Sequence, residues 1–164
     1  MTELDALVAA LRGAQRSVFR LEARQHYGDD PQWQAYVAGE RWQDNADLAA
    51  WCDLVRANTA RGVSMQRVHV VTQPWSPYVH FEVEQHYPFN QGAGEGVRLV
   101  HAAEQWNAPD FWLVDDRCAW LLDYDPDGTM TVVRATEQEL PTLREWRDRA
   151  VADTAAGVSS PLPA

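Results

Sequence analysis

Four ionisable side chains recur at every second position along residues 80–87: His80, Glu82, Glu84 and His86. On a β-strand they would share one face, where side chains two residues apart lie roughly 6–7 Å from each other. On an α-helix the same spacing would place each histidine four residues from one of the glutamates. Histidine and glutamate suit zinc, iron or manganese. The segment therefore predicts a divalent-metal or acid–base site, with the solvent face of a half-buried strand as the structural alternative.

A second set of charges, Arg20, Glu22 and Arg24, alternates with the apolar Phe19 and Leu21. This period of two predicts a strand that turns its apolar side to the core and its charges to the other side. Arginine binds a carboxylate or phosphate at two points, so the pattern indicates an anionic ligand. An ion-pair ladder within the sheet is the structural alternative.

Glu22 and Glu82 are candidates for an acid–base pair beside Arg20. If both segments join one sheet, their polar faces can look the same way. Positive charge keeps the nearer carboxylate ionised, whereas burial pushes the other toward protonation and makes it a candidate acid. We therefore expect Arg20, Glu22 and Glu82 to lie close together in a polar cleft.

Two loops supply further candidate ligand-binding residues. Trp75 lies in a proline-containing loop, where its ring can stack on a ligand or partner. Residues 90–98 hold three glycines, which allow close backbone approach to a ligand, with Glu95 and Arg98 among them. The glycine order is not a dinucleotide fingerprint and leads into a strand, so a flexible connector is the alternative.

The composition excludes several chemistries. All 14 residues counted as Lys plus Arg are Arg. The chain therefore has no Schiff-base lysine, P-loop lysine or Ser–Lys dyad. Cys52 and Cys118 form no metal or redox motif, and Asp115, Asp116 and Asp123 are typical of turns.

The formal charge of −10 disfavours direct nucleic-acid binding and anionic membranes. The N-terminal residues are acidic, and no apolar run approaches the roughly 18 residues of a membrane span. We expect a soluble, cytoplasmic protein.

The elements that must position these residues alternate along the chain. Helices are predicted over 3–13, after Pro31, after a cap at Asp44 or Asn45, and after Pro141. Strands are predicted over 17–24, 63–73, 97–102, 110–117 with a turn at its end, 118–124 and 130–135. The helix after Asn45 has the clearest apolar face, at i, i+3, i+4 and i+7: Leu48, Trp51, Cys52 and Val55. We predict one α/β domain over residues 1–153, with a central mixed or antiparallel sheet flanked by helices, and a loose tail over 154–164.

Five stretches have a familiar order and spacing: Phe19–Arg24 with Tyr27, Ala60–Val63, Arg67–Val71 with Pro74 and Tyr78, Ala93–Arg98, and Asp110–Asp115. Together they resemble an uncharacterised domain family of actinomycetes, often encoded beside small helix-turn-helix regulators. The resemblance implies an intracellular protein that is part of a regulatory pair or of a biosynthetic cluster. His80 and His86 are not positions associated with that family.

The layout is also similar to the phospholipase D-like fold. A helix ending in Arg-Gly-Val precedes a strand, and a strand Phe-Trp-Leu-Val-Asp feeds a hairpin. The chemistry of that fold needs a His-x-Lys pair, which a chain without lysine does not have. The likeness therefore implies half of such a scaffold, used as a ligand sensor and not as a phosphodiesterase.

The leading interpretation is a non-catalytic regulatory or accessory protein. It would bind a small anionic ligand, or a protein partner such as a helix-turn-helix regulator, through a set of six residues: Arg20, Arg24, Tyr27, Trp75, Glu95 and Arg98. No cofactor is required, and a homodimer is left open. The alternative is a small enzyme of secondary metabolism that uses Glu22, Glu82 and His86 as acid–base groups, with or without a divalent metal.

Overall fold

The computed structural model describes residues 1–41, 44–155 and 159–160. Within these residues the helices are α1 (Glu3–Gly13), α2 (Pro31–Val37), α3 (Ala46–Ala60), α4 (Pro77–Gln85), α5 (Tyr87–Ala93) and α6 (Leu140–Ala155). The strands are β1 (Ser17–Glu22), β2 (Ser64–Thr72), β3 (Gly96–Ala102), β4 (Asp110–Val114), β5 (Cys118–Tyr124), β6 (Met130–Arg134) and β7 (Ser159–Ser160).

The strands form one sheet in the order β6-β5-β4-β1-β2-β3-β7. Strands β1, β2 and β3 run parallel, and the remaining pairs are antiparallel. Strand β7 is only two residues long, so six strands make the body of the sheet. This arrangement confirms the predicted single α/β domain with a mixed sheet flanked by helices.

Local capping explains where the helices begin. Thr2 and Asp5 form a reciprocal capping box at α1, and Asn45 accepts a hydrogen bond from the backbone of α3. Ser76 caps α4 in the same way, with Pro77 at its first position. Asn45, and not the neighbouring Asp44, is therefore the residue that starts the helix with the predicted apolar face.

Helices cover both faces of the sheet. On one face α6 packs against Phe19, Leu21 and their neighbours, and on the other α1 and α3 pack against Val18 and its neighbours. Strand β1 lies in the middle, so it is buried on both sides. Arg20 and Glu22, predicted to line a cleft, are only 3% and 4% exposed. The predicted alternation of apolar and charged residues is present, but the face that carries the charges is buried and not open to solvent.

Residues 80–85 lie in α4 and Tyr87 begins α5, so the strand considered for residues 80–87, on which a shared sheet face depended, is wrong. Helix α4 buries two faces at once: Val79 and Val83 pack toward β3, whereas Tyr78 and Phe81 pack toward the aromatic rings of α2. Because two faces of α4 are buried, the apolar residues of the two faces together fall at nearly every second position. This pattern resembles the alternation of a strand.

The glycine-rich segment is not a free connector. Residues 91–93 complete α5, and Gly94 ends that helix in the left-handed conformation, with a φ of 112°. Glu95 then leads into β3. The glycines therefore serve a helix end and a strand start.

Helix α6 extends to Ala155, and Ser159–Ser160 pair with β3. Residues 156–158 and 161–164 of the predicted loose tail lie outside the described residues. None of the helices in the described part of the chain is long and apolar enough to cross a membrane.

Candidate functional site

The topology brings ionisable residues together where strand order reverses. The chain runs outward from β1 through β2 to β3 and then returns to the other side of β1 with β4. Glu22 ends β1 directly opposite His69 of β2, and Asp110 begins the antiparallel β4 at the same edge. In open α/β sheets, ligands bind outside the carboxyl ends of the strands at such a reversal. This edge is therefore the candidate site.

Arg67 holds two buried carboxylates. Its Nη1 lies 2.5 Å from Glu22 Oε1, and its Nε donates to Glu95 Oε1 at 2.9 Å. The other oxygen of Glu95 accepts from Trp51 Nε1 and from Asn90 Nδ2, both at 2.8 Å. Glu95, a predicted ligand-binding residue, is therefore buried and anchors Arg67.

Arg20 belongs to a separate group. It donates to Asp110 Oδ2 at 3.1 Å and to Tyr124 Oη at 3.0 Å, and Tyr27 donates to the same carboxylate oxygen at 2.6 Å. Burial alone would lower the pKa of Arg20, but the oxygens of Tyr124 and Asp110 raise it above its ordinary value. The ion-pair partner of Glu22 is thus Arg67, whereas Arg20, which was expected beside the two glutamates, pairs with Asp110.

His69 joins this network to Glu82. Its Nε2 lies 2.6 Å from the backbone oxygen of Arg24, which can only accept, so Nε2 carries a proton. Its Nδ1 lies 2.7 Å from the hydroxyl of Tyr87 and 3.3 Å from Glu82 Oε2. Despite that approach, Glu82 Oε2 is buried and forms no hydrogen bond within the described residues. A buried carboxylate oxygen without a hydrogen bond is unfavourable, so this oxygen is more stable when it is protonated or when it accepts a hydrogen bond from a bound molecule.

The two glutamates have opposite protonation tendencies. Burial alone would raise the pKa of Glu22, but the positive charges of Arg67 and Arg20 hold it at about 2. Burial raises the pKa of Glu82 well above its ordinary range, and the negative charge of Glu22 raises it further. Glu22 is therefore held in its ionised form, whereas its surroundings favour the protonated form of Glu82. The two pKa values are shifted in opposite directions, as expected: Arg67 and Arg20 lower that of Glu22, and burial together with the charge of Glu22 raises that of Glu82.

Glu22, His69 and Glu82 each offer one ligand atom, and the three atoms lie within 4.8 Å of one another. The donor chemistry fits a metal ion poorly, however. The guanidinium of Arg67 already contacts Glu22, and both ring nitrogens of His69 have partners. A cation here would face that positive charge and displace Tyr87. A proton on Glu82 neutralises its carboxylate without repulsion from Arg67 and without displacing Tyr87.

The four residues predicted to bind a metal are not brought together. His80 and Glu84 are exposed on α4; Glu84 contacts Arg41 at 3.6 Å, and His80 lies beside the ring of Trp75. Only Glu82 faces the buried network. His86 stands at the end of α4 against the ring of Phe81, and burial lowers its pKa. Helical geometry separates these side chains, because i and i+2 point in different directions.

The remaining candidates for ligand binding are dispersed. The guanidinium of Arg24 pairs with Asp123 and donates to the backbone oxygen of Tyr124. Arg98 is exposed on β3, and Trp75 is half-buried against the cluster that contains Val71 and Val79. A cavity of about 520 Å³ opens near Arg24, with Asp110 and Asp123 among its lining residues. It adjoins the Arg20 end of the network.

Sequence reasoning missed Arg67, His69, Tyr87 and Asp110. A signal existed for the first two, because they alternate with Val68 and Val70 as Arg20 and Glu22 alternate with Leu21. Register pairs Arg20 with Arg67 and Glu22 with His69. The sequence contains no comparable signal for Tyr87 or Asp110.

The fold and the site define an α/β domain with a buried network of ionisable side chains at the reversal point of its sheet. The chain belongs to the family described as domain of unknown function DUF6879, whose profile matches residues 5–157. A comparison with curated proteins finds no match.

Proposed function

We propose that this domain is an enzyme that transfers protons to and from a small molecule at the Glu22–His69–Glu82 group. The carrying observation is the buried carboxyl of Glu82, which lies beside an ionised Glu22 and has an oxygen without a hydrogen bond. Carboxyl pairs whose environments push their pKa values apart are the usual basis of acid–base assignment.

Each residue has a distinct role in this proposal. Glu82 donates its proton to a substrate atom and later takes one back, as in an enolisation, an elimination or a hydrolysis. Glu22, fixed as an anion by Arg67, raises the energy of ionised Glu82 and so keeps it protonated between turnovers. His69, with Nδ1 at 3.3 Å from Glu82 Oε2, orients the carboxyl.

The regulatory interpretation remains a second proposal, although two of its residues are already paired within the chain. The guanidinium groups of Arg20 and Arg24 are engaged by Asp110 and Asp123, so an anionic ligand would have to displace those carboxylates. A protein partner, such as a helix-turn-helix regulator, would instead use the exposed surface. The buried network gives such a role no support, which is why we rank the enzyme first.

We propose a cytoplasmic setting, with secondary metabolism as the source of the substrate. Cys52 and Cys118 are both free, as expected in a reducing compartment. We further propose an actinomycete origin and a sensor scaffold of phospholipase D-like type.

Turnover by matched glutamine variants tests the proposal. The wild-type chain, Glu82→Gln and Glu84→Gln are each incubated with a small-molecule extract, which is followed by mass spectrometry. Glu84 lies on the same helix but is exposed. We expect wild type and Glu84→Gln to convert the same compound, and Glu82→Gln to be about 10²–10⁴-fold slower. Equal rates for both variants, or no conversion by wild type, would refute the assignment.

The pH dependence of folding tests the protonation of Glu82 without a substrate. The folded chain keeps a proton that the unfolded chain releases above about pH 4.3. The free energy of unfolding therefore falls as the pH rises from that value to the raised pKa, by up to about 1.4 kcal/mol per pH unit. Glu82→Gln removes this loss, so its stability relative to wild type increases with pH. Parallel denaturation curves across that range would contradict the raised pKa.

A further inference from the structure

A second polar cluster lies on β3 and on the loop that follows β2, outside the buried network. His101 is near the end of β3, where it pairs in register with Val71 of β2. Trp75 lies in the loop between β2 and α4, and its ring centroid is 6.0 Å from that of His101 and 5.3 Å from that of His80. Trp75 lies two residues before α4, and His80 is the fourth residue of that helix.

The proton position on His101 follows from its partner. The side-chain amide nitrogen of Gln73 lies 2.9 Å from His101 Nδ1. An amide nitrogen can only donate, so Nδ1 accepts and the ring proton is on Nε2. His101 Nε2 is therefore a hydrogen-bond donor.

Two donors of this cluster have no acceptor. Trp75 Nε1 and His101 Nε2 are both buried atoms, and neither forms a hydrogen bond within the described residues. Buried donors almost always have an acceptor, and leaving one unpaired is unfavourable. Two unpaired N–H groups on neighbouring rings indicate an external acceptor.

We propose that Trp75 and His101 bind an oxyanion, the carboxylate or phosphate group of a small ligand, at the start of α4. An anionic oxygen accepts from both N–H groups more strongly than a neutral one. The first turn of α4 adds the positive end of a nine-residue helix directly after Trp75. The exposed imidazole of His80 provides a third ring at the rim.

This inference does not depend on the proposed acid–base chemistry, because none of its residues belongs to the Glu22–His69–Glu82 group. It gives Trp75, predicted to stack on a ligand, a different contact: the indole N–H and not the ring face. The shared chemistry is an anionic oxygen, and the experiment separates the two sources.

Nuclear magnetic resonance of the ¹⁵N-labelled full chain provides the test. The chain has 8 Trp, so 8 indole N–H resonances are available, and Trp75→Phe identifies the one from Trp75. Sodium phosphate and sodium acetate are titrated separately at constant ionic strength set with sodium chloride. We expect a saturable shift of the Trp75 resonance. Saturation with phosphate alone identifies a phosphoryl site, with acetate alone a carboxylate site, and with both a general oxyanion site.

The variants check that the contact is direct. Trp75→Phe keeps an aromatic ring but has no N–H, and should weaken binding about tenfold to hundredfold when the titration is followed through the backbone amide resonances of α4. Trp120→Phe, the same change on β5, where the indole N–H donates to Glu3, should leave the affinity unchanged. If Trp75→Phe does not fold, His101→Asn replaces it in the same measurement. An unmoved set of indole resonances with both anions, or a His101 ring protonated at Nδ1, would overturn the proposal.

Discussion

Replacing Arg67 with glutamine is expected to lower the free energy of unfolding by about 3–5 kcal/mol at neutral pH. The guanidinium contacts Glu22 at 2.5 Å and Glu95 at 2.9 Å, and both carboxylates are buried. Glutamine leaves them without a positive charge, in a region where water cannot screen their repulsion. Removing one partner of a buried ion pair is costly for this reason, even when the intact pair adds little net stability.

Arg56→Gln is the matched control. Arg56 contacts Asp53 at 2.9 Å, a distance like that between Arg67 and Glu95, but the two side chains are 59% and 78% exposed. An exposed pair of this kind contributes about 0–1 kcal/mol. Chemical denaturation of both variants and of wild type separates the effect of burial from the effect of losing an arginine. Similar losses for the two variants would show that the Arg67 network is not buried in solution.

The pH dependence of this loss has a definite sign. Glu22 has a folded pKa of about 2, below the ordinary glutamate value of about 4.3. Its ionised form therefore stabilises the fold above about pH 4.3, and that contribution is lost as the pH falls toward 2. The difference between wild type and Arg67→Gln should be largest near neutral pH and shrink in acid. A difference that stays constant from pH 7 to pH 3 would mean that Arg67 does not depress the pKa of Glu22.

The elements that sequence reasoning predicted well have local signals that agree with their packing. Asn45 caps α3, and the apolar residues of α3 form a single stripe that packs in the core. Phe19 and Leu21 alternate with charges because β1 has one apolar face. In helix α4 the local sequence signal and the packing do not agree, because Tyr78 and Val79 are neighbours in sequence but pack against different clusters. Which faces of a helix become buried is decided by the elements around it, and these are distant in sequence.

In the candidate site, too, local sequence patterns predicted some features, and contacts between distant segments decided the others. Alternation alone indicated that Glu22 would share a face with Arg20, and the structure places ligand atoms of Glu22 and Glu82 within 4.8 Å. Strand register, which sequence does not reveal for a parallel pair, brings Arg67 and His69 beside them. The pairing of each carboxylate with its arginine was therefore not predictable. The catalytic roles of Glu22, Glu82 and His86 remain predictions.

Trp51→Ala is expected to remove about 3–5 kcal/mol from the free energy of unfolding. The indole packs beside Trp112, with ring centroids 5.0 Å apart, and Nε1 donates to Glu95 Oε2 at 2.8 Å. The ring therefore joins α3 both to the apolar core and to the anchor of Arg67. Alanine leaves a cavity and removes one hydrogen bond from a buried carboxylate. The denaturation midpoint by circular dichroism measures the loss.

Trp51→Phe separates these two contributions. Phenylalanine keeps most of the packing but cannot donate to Glu95, so we expect a smaller loss of about 1.5–3 kcal/mol, the range for a hydrogen bond to a charged group. Because Trp51 and Arg67 both bond Glu95, the double variant Trp51→Phe/Arg67→Gln should lose less than the sum of the two single variants. Strict additivity would show that α3 and the buried network are energetically independent. A near-native midpoint for Trp51→Ala would place the predicted apolar face of α3 outside the core.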